Sequence, residues 1–153
     1  MMRLKKLFIL FLAAGVLVGC GKETGSGDGE TKVPPIGNIG EIVQTQDKVQ
    51  LVGRTAEINN VTVTDVPGNY VFWVGGVNGS IPVVLESELY GQSADGDLQI
   101  RQGQTLAITG TIRLVSAVSN SDKMWDKIDR QEKDDLDQAK VYLGAQKVRI
   151  TNW

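Results

Sequence analysis

The sequence predicts a mainly β fold: a small five-stranded barrel with one short helix, preceded by a segment outside the barrel. From about residue 48 onward, apolar and polar residues alternate in short runs, as they do along half-buried strands. Clusters of Gly, Pro, Asn and Asp separate these runs and are typical of turns. The chain has 153 residues, which suits one such domain with an N-terminal extension.

The strands follow one another along the chain, and Gly53 permits a bend or bulge in the first of them. Pro82 has no N–H to donate, so the third strand is expected to place it at an edge or near its start. Gly110 lies in the middle of the fourth strand. The predicted strands span residues 49–64, 70–74, 81–85, 105–115 and 142–150.

The helix is predicted between the fourth and fifth strands. Ser121 and Asp122 can cap a helix that runs from about Lys123 toward Lys140. The polar run QEKDD interrupts its apolar stripe, so the helix is expected to be short or broken. The segment ESELYG, residues 86–91, can hold a further helical turn between the third and fourth strands.

This order of elements resembles an OB-fold. The resemblance is carried by V-x-L-V-G at residues 49–53, by YVFWV and IPVVL, and by the spacing from Gly103 to Gly110. It implies a closed barrel, although an OB-fold usually places its helix between strands three and four rather than four and five. A lipocalin-like barrel and an open sheet sandwich remain alternatives.

The N-terminus has the three parts of an export signal. Arg3, Lys5 and Lys6 precede an apolar run from Leu7 to Leu17, which is shorter than the about 20 residues that span a membrane. The next residues complete Leu-Val-Gly-Cys, which resembles a bacterial lipobox. The resemblance implies cleavage before Cys20 and lipid attachment to its thiol. A chance cysteine after an ordinary signal peptide or a short membrane anchor is the alternative.

Three regions are therefore expected: a lipoprotein signal at 1–19, a lipidated cysteine with a flexible tether at 20–47, and the barrel at 48–153. The tether is predicted because its first half is rich in Gly, Ser and charge. Gly21 and Lys22 follow the cysteine, so no aspartate signals retention in the inner membrane. The expected location is the outer membrane of a two-membrane cell, or otherwise the outer face of the cell membrane.

Composition argues against several functions. The whole chain has a net charge of −2, and the exported part is more acidic because the three cations of the signal leave with it. This balance makes nucleic acid an unlikely partner. The chain has no histidine, and its one cysteine is the predicted lipid site, so a Ser-His-Asp or Cys-His arrangement is impossible. We therefore expect no enzyme activity and no cofactor.

Aromatic residues of the second strand form the candidate ligand surface. OB-folds stack bases and sugars on such residues, and Tyr70 and Phe72 should face one side of the strand while Trp73 faces the other. Arg54 and Arg113 can flank that surface. Core packing for one set of aromatics, with solvated strand faces for the arginines, is the competing interpretation.

Acidic residues do not predict a metal site. Asp95-Gly96-Asp97 is more typical of a turn than of a calcium loop, which needs oxygen ligands at several fixed positions. The acids of residues 122–137 alternate with Lys and Arg, which indicates a solvated helix face. Trp125 and Trp153 are expected to plug a barrel mouth and to end the last strand, or else to form a partner surface.

The predicted function is a non-enzymatic binding module held at the cell envelope by lipid on Cys20, with an envelope protein or a cell-wall glycan as partner. An oligonucleotide-binding OB-fold is the alternative.

Overall fold

The computed structural model describes residues 33–94, 98–119 and 126–152. Five strands close into a barrel in the order β1-β2-β3-β5-β4, with β4 returning to β1. Neighbouring strands are antiparallel except β3 and β5, which pair in parallel. This order is that of an OB-fold, as the sequence predicted. The strands are β1 (Thr55–Asp65), β2 (Val71–Gly76), β3 (Gly79–Leu85), β4 (Thr105–Leu114) and β5 (Val141–Asn152).

Short helices connect the strands. In the described part of the chain they are α1 (Ile39–Gln44), α2 (Ser87–Ala94), α3 (Val115–Ser119) and α4 (Arg130–Asp137), with a 3-10 turn at Lys48–Leu51. The helical turn expected after the third strand is present as α2, which occupies the position usual for an OB-fold helix. No helix among the described residues is both long and apolar enough to cross a membrane.

The helix predicted between strands four and five is present as α4, but it occupies the polar run that was expected to interrupt it. Its N-cap is Asp129, whose side chain accepts from the backbone N–H of Glu132, while Glu132 accepts from the N–H of Asp129. This reciprocal pair is a capping box, which starts a helix without an apolar stripe. The proposed caps Ser121 and Asp122, like Trp125, lie outside the described residues.

The N-terminal boundary of the domain differs from the prediction. Residues 33–47 were assigned to a flexible tether, yet Ile36 and Ile42 are fully buried in the barrel core. Ile36 pairs with Ala56 of β1 in a parallel bridge. Its N–H donates to the carbonyl oxygen of Thr55, and its carbonyl oxygen accepts from the N–H of Glu57, each at 2.9 Å. The free energy gained by burying these two isoleucines keeps this segment in place on the barrel, although its Gly and Pro content suggested a linker. Residues 20–32 lie outside the description.

The first strand also begins later than predicted. Val49 and Leu51 belong to the 3-10 turn, in which the Asp47 side chain accepts from the N–H of Val49. Gly53 follows with a φ of +86°, a left-handed conformation that glycine adopts without strain. The chain therefore turns at Gly53 before β1 starts, rather than bending within a longer strand.

Alternate residues of every strand fill the barrel. Inward side chains such as Ile58 on β1 and Phe72 on β2 are almost completely buried, whereas their neighbours face outward. Gly110 on β4 lies at a bulge against β5, where a Cβ atom would clash with the carbonyl oxygen of Gly144. The closest approach of β4 and β5 therefore depends on the absence of a side chain at residue 110.

A buried carboxylate joins α4 to the start of β2. Glu132 is 1% exposed, and its Oε1 accepts from the N–H groups of Tyr70 at 2.9 Å and Val71 at 3.0 Å. Its Oε2 accepts from Asp129 N at 2.8 Å. A Cβ atom at Gly68 would collide with this carboxylate, so the approach to β2 requires glycine there. Three backbone donors therefore depend on this one side chain, and two of them, Tyr70 and Val71, lie 62 and 61 residues before it in the chain.

The Glu132→Gln variant tests this anchor. The amide keeps one acceptor oxygen but turns an NH2 donor toward a backbone N–H, so at least one buried donor loses its partner. We expect the free energy of unfolding in urea to fall by about 2–3 kcal/mol. The control is Asp134→Asn, an equal change of charge at an exposed residue of α4, which should alter stability by less than about 0.5 kcal/mol. Equal stability of the two variants would contradict the anchoring role.

Candidate functional site

The outer face of β2 and β3 carries the candidate site. Phe72 and Val74 point into the barrel, so Val71 and Trp73 project outward from β2. Two cross-strand pairs form on this outer face, Val71 opposite Val84 and Trp73 opposite Pro82. The β3–β5 ladder begins only at Val83, so Pro82 lies where the β5 side of β3 is open, as expected for a residue without an N–H.

The connection between β4 and β5 packs on the first of these pairs. Val71 and Val84 are buried in a second apolar cluster, formed with Ile128 and Leu136 of this connection and with Tyr142 of β5. Helix α4 ends at Asp137. The second pair, Trp73 and Pro82, therefore lies beside the segment that leaves α4 and enters β5.

A cleft of about 310 Å³ separates that segment from the strands. Its apolar surface includes the half-buried Trp73 ring and the buried Pro82 ring. Ser80 on β3 and Gln138 after α4 bring a hydroxyl and an amide to its lining. The described residues that line the cleft are Lys48, Trp73, Ser80, Ile81, Pro82, Gln138, Ala139, Lys140 and Val141.

Among the described residues that line the cleft, two are cations and none is a carboxylate. Lys48 is half-buried and makes one long contact, 3.5 Å from its Nζ to the carbonyl oxygen of Thr45. Lys140 is exposed. Among the described residues, neither lysine forms an ion pair. The cleft therefore combines a flat apolar surface with local positive charge, on a chain whose net charge is negative.

The structure separates the predicted aromatic residues. Trp73 reaches the cleft, whereas Phe72 is 1% exposed and belongs to the barrel core, so Phe72 is not ligand-facing. Tyr70 is half-buried and packs against both apolar clusters, just before β2. Of the three, Trp73 alone lines the cleft.

The predicted arginines lie elsewhere and form ion pairs. Arg54 contacts Glu41 of α1 at 2.9 Å and donates to the carbonyl oxygen of Pro34, so it fastens the N-terminal segment. Arg113 contacts Glu86 at 2.7 Å. Neither arginine lines the cleft. Each arginine is therefore directed to an acid remote in sequence, and the structure does not bring the two arginines to the Trp73 cleft.

The Arg113–Glu86 pair lies beside Tyr142, the cross-strand neighbour of Arg113. Burial raises the pKa of the Tyr142 phenol above its usual value, while the Arg113 guanidinium opposes this effect and the Glu86 carboxylate adds to it. A Cβ atom at Gly144 would approach Glu86 Oε1 to 2.8 Å and Arg113 Nε to 3.0 Å. Glycine at this position therefore leaves room for the ion pair to lie across β5.

The sequence prediction missed most of the cleft. Pro82 was recognised only as a strand-edge residue, and the cleft lysines Lys48 and Lys140 were not singled out. Their signal is weak because isolated surface lysines are common; only their position next to Trp73 distinguishes them. Among the described residues, no three His, Cys, Asp or Glu side chains are grouped to hold a metal. Asp95 and Asp97 lie outside the description.

No protein-family model matches the sequence, and no curated protein sequence matches it. Several solved structures are similar to this chain at low sequence identity. The asparaginyl-tRNA synthetase of Pyrococcus horikoshii has a TM-score of 0.40 at 11% identity, over 70% of this chain and 21% of that one. The chain thus spans about a fifth of that synthetase.

A smaller protein matches over most of its own length. The hypothetical protein ygiW from E. coli has a TM-score of 0.43 at 8% identity, over 77% of this chain and 91% of that one. A putative aspartyl-tRNA synthetase from Leishmania major Friedlin has a TM-score of 0.44 at 15% identity, over 72% of this chain and 20% of that one. These likenesses concern the fold and not the ligand.

Proposed function

We propose that this chain is an envelope lipoprotein whose barrel is a non-enzymatic binding module, and that the cleft beside Trp73 is its ligand site. The observation that carries the proposal is the cleft itself, in which the half-buried Trp73 ring and the Pro82 ring line the space between the strands and the segment that follows α4. Its volume of about 310 Å³ falls at the small end of ligand sites, which measure about 300–1,000 Å³.

The chemistry of the cleft favours an acidic glycan. A sugar ring can pack its C–H face on the Trp73 indole, and its hydroxyl groups suit the side chains of Ser80 and Gln138. Lys48 and Lys140 favour a ligand that carries a carboxylate or another anionic group. A cell-wall glycan with acidic substituents combines these features.

Charge disfavours the oligonucleotide alternative. A single strand needs a basic groove that follows its backbone for several nucleotides. The connection beside the cleft is rich in acids, which would repel phosphates along such a path. Its described acidic residues, apart from the buried Glu132, are Asp126, Asp129, Asp134, Asp135 and Asp137, against the bases Lys127, Arg130, Lys133 and Lys140.

The envelope location rests on the sequence. Leu17-Val18-Gly19-Cys20 and the apolar run before it support export and lipid attachment, and these residues lie outside the described structure. With Val33 as the first described residue of the domain, residues 20–32 would serve as the tether in place of the longer one predicted. The outer membrane of a two-membrane cell is the proposed location, since Gly21 and Lys22 carry no retention signal.

Binding of a defined acidic sugar tests the cleft. Calorimetric titration of the full chain in nonionic detergent compares a hyaluronan tetrasaccharide, neutral chitotetraose and an eight-residue thymidine oligonucleotide. We expect the acidic tetrasaccharide to bind most tightly. Trp73→Ala should weaken it about tenfold or more, because aromatic stacking contributes about 1–3 kcal/mol.

Lys140→Gln provides a second variant, at an exposed residue whose replacement should not disturb folding. This variant should bind the acidic sugar more weakly and bind the neutral sugar with unchanged affinity. The control is Arg101→Gln, which removes one positive charge from an exposed residue outside the cleft. Equal affinity of all variants for the sugar would refute the cleft as its site. Tighter binding of the oligonucleotide, lost in Trp73→Ala, would support the alternative function.

Lipid attachment has a separate test. Intact-mass analysis of the full chain, expressed in a bacterium, should show a mature protein that begins at Cys20 and carries a diacylglyceryl group. Cys20→Ala should remove the lipid mass, whereas Ser26→Ala in the tether should keep it. A mature wild-type protein with a free Cys20 thiol, or with a different N-terminus, would refute the lipoprotein proposal and leave the cleft proposal intact.

A further inference from the structure

A second hollow, with a polar lining, lies on the outer face of β1, β4 and β5. Glu57 on β1 pairs with Thr109 on β4, and Thr109 pairs with Lys147 on β5. Arg149 pairs with Ala107 in the adjoining row. Neighbouring strands are about 4.8 Å apart, so these side chains form one continuous patch.

The small side chain of Ala107 leaves a depression between the longer ones. The hollow measures about 140 Å³, and it is lined by Glu57, Asn59, Ala107, Ile108, Thr109, Lys147 and Arg149. Its polar lining contrasts with the apolar surface of the Trp73 cleft. The two sites share no residue.

A β-bulge shapes one side of the hollow. The β1–β4 register shifts between Ile58 and Val61, so Asn59 and Asn60 together lie opposite Ala107. Among the described residues other than glycine, Asn60 alone has a positive φ, which is 56°. Asparagine tolerates this left-handed conformation better than most residues. The extra residue brings the Asn59 side chain to the rim of the hollow, as bulges commonly redirect side chains.

The charged groups of the hollow have no protein partner among the described residues. Lys147 and Arg149 are two residues apart on one strand and share its outer face, so their charges repel each other. Neither forms an ion pair with Glu57 or with another described acid. A bound anion between the two cations would relieve this repulsion. Thr109 and Asn59 would add a hydroxyl and an amide donor to it.

Glu57 narrows the choice of anion. A carboxylate repels a bound anion unless the anion carries an O–H group that donates a hydrogen bond to the carboxylate. We propose that this hollow binds a protonated phosphate group, held by Lys147, Arg149 and Thr109, with its P–OH donating to Glu57. Sulfate has the same shape and no proton near neutral pH, so Glu57 discriminates against it.

The test is a calorimetric titration of the full chain in nonionic detergent at pH 6, with sodium phosphate and sodium sulfate at matched ionic strength. Phosphate should bind saturably, and sulfate at least about tenfold more weakly, as expected for one charge-assisted hydrogen bond. Glycerol 1-phosphate is titrated in parallel. Binding of both phosphates indicates a site open to phosphate monoesters, and binding of inorganic phosphate alone indicates a site for the free ion.

Three variants assign the binding to the hollow. Arg149→Gln should weaken phosphate about tenfold. Glu57→Gln should weaken the binding of phosphate and strengthen the binding of sulfate, so that the preference for phosphate is lost. A purely structural role of Glu57 would not change which of the two anions binds more tightly. Arg101→Gln serves as the control for loss of one positive charge elsewhere. The proposal is overturned if neither anion binds, if sulfate binds as well as phosphate, or if Arg149→Gln binds phosphate like the control.

Discussion

The carboxylate of Glu132 determines how the connection between β4 and β5 lies on the barrel. It is a buried anion whose two oxygens accept from three backbone N–H groups, two at the entrance of β2 and one at the N-cap of its own helix. Removal of an acceptor from buried donors is costly, because the donors have no water to replace it. Helix α4 is thereby held at one place along β2.

That placement defines which part of the outer β2–β3 face is available. The connection buries Val71 and Val84 beneath Ile128 and Leu136. The next outward pair, Trp73 and Pro82, lines the cleft beside the last residues of the connection. The inside of the barrel is filled by packed side chains, and the cleft lies on its outer face. The position of α4 therefore determines where the candidate site lies.

The sequence predicted those features that depend on neighbours in the chain. Strand alternation predicted all five strands, the resemblance to an OB-fold implied their closure into a barrel, and Pro82 was correctly expected where one side of its strand is open. The bounds of α4 were not predicted correctly. Its start depends on the capping box of Asp129 and Glu132, and its polar residues were interpreted as an interruption of the helix. A search for Asp-x-x-Glu would have identified that start.

Features that depend on distant parts of the chain could not be predicted. Ile36 and Ile42 lie in a segment with linker-like composition, and their burial requires the finished barrel. The partners of Arg54 and Arg113 are acids 13 and 27 residues away, which no local pattern indicates. Lys48 and Lys140 likewise become neighbours of Trp73 only once the barrel has closed.

The most direct measurement of the central claim is amide hydrogen exchange at Tyr70 and Val71, followed by nuclear magnetic resonance on the full chain in detergent micelles. Strand entrances usually open locally and exchange fast. If the Glu132 carboxylate holds these two amides, they should exchange as slowly as amides in the centre of the β2–β3 ladder, such as Val83. Exchange of Tyr70 and Val71 at the rate of unprotected loop amides, while Val83 stays protected, would contradict the account.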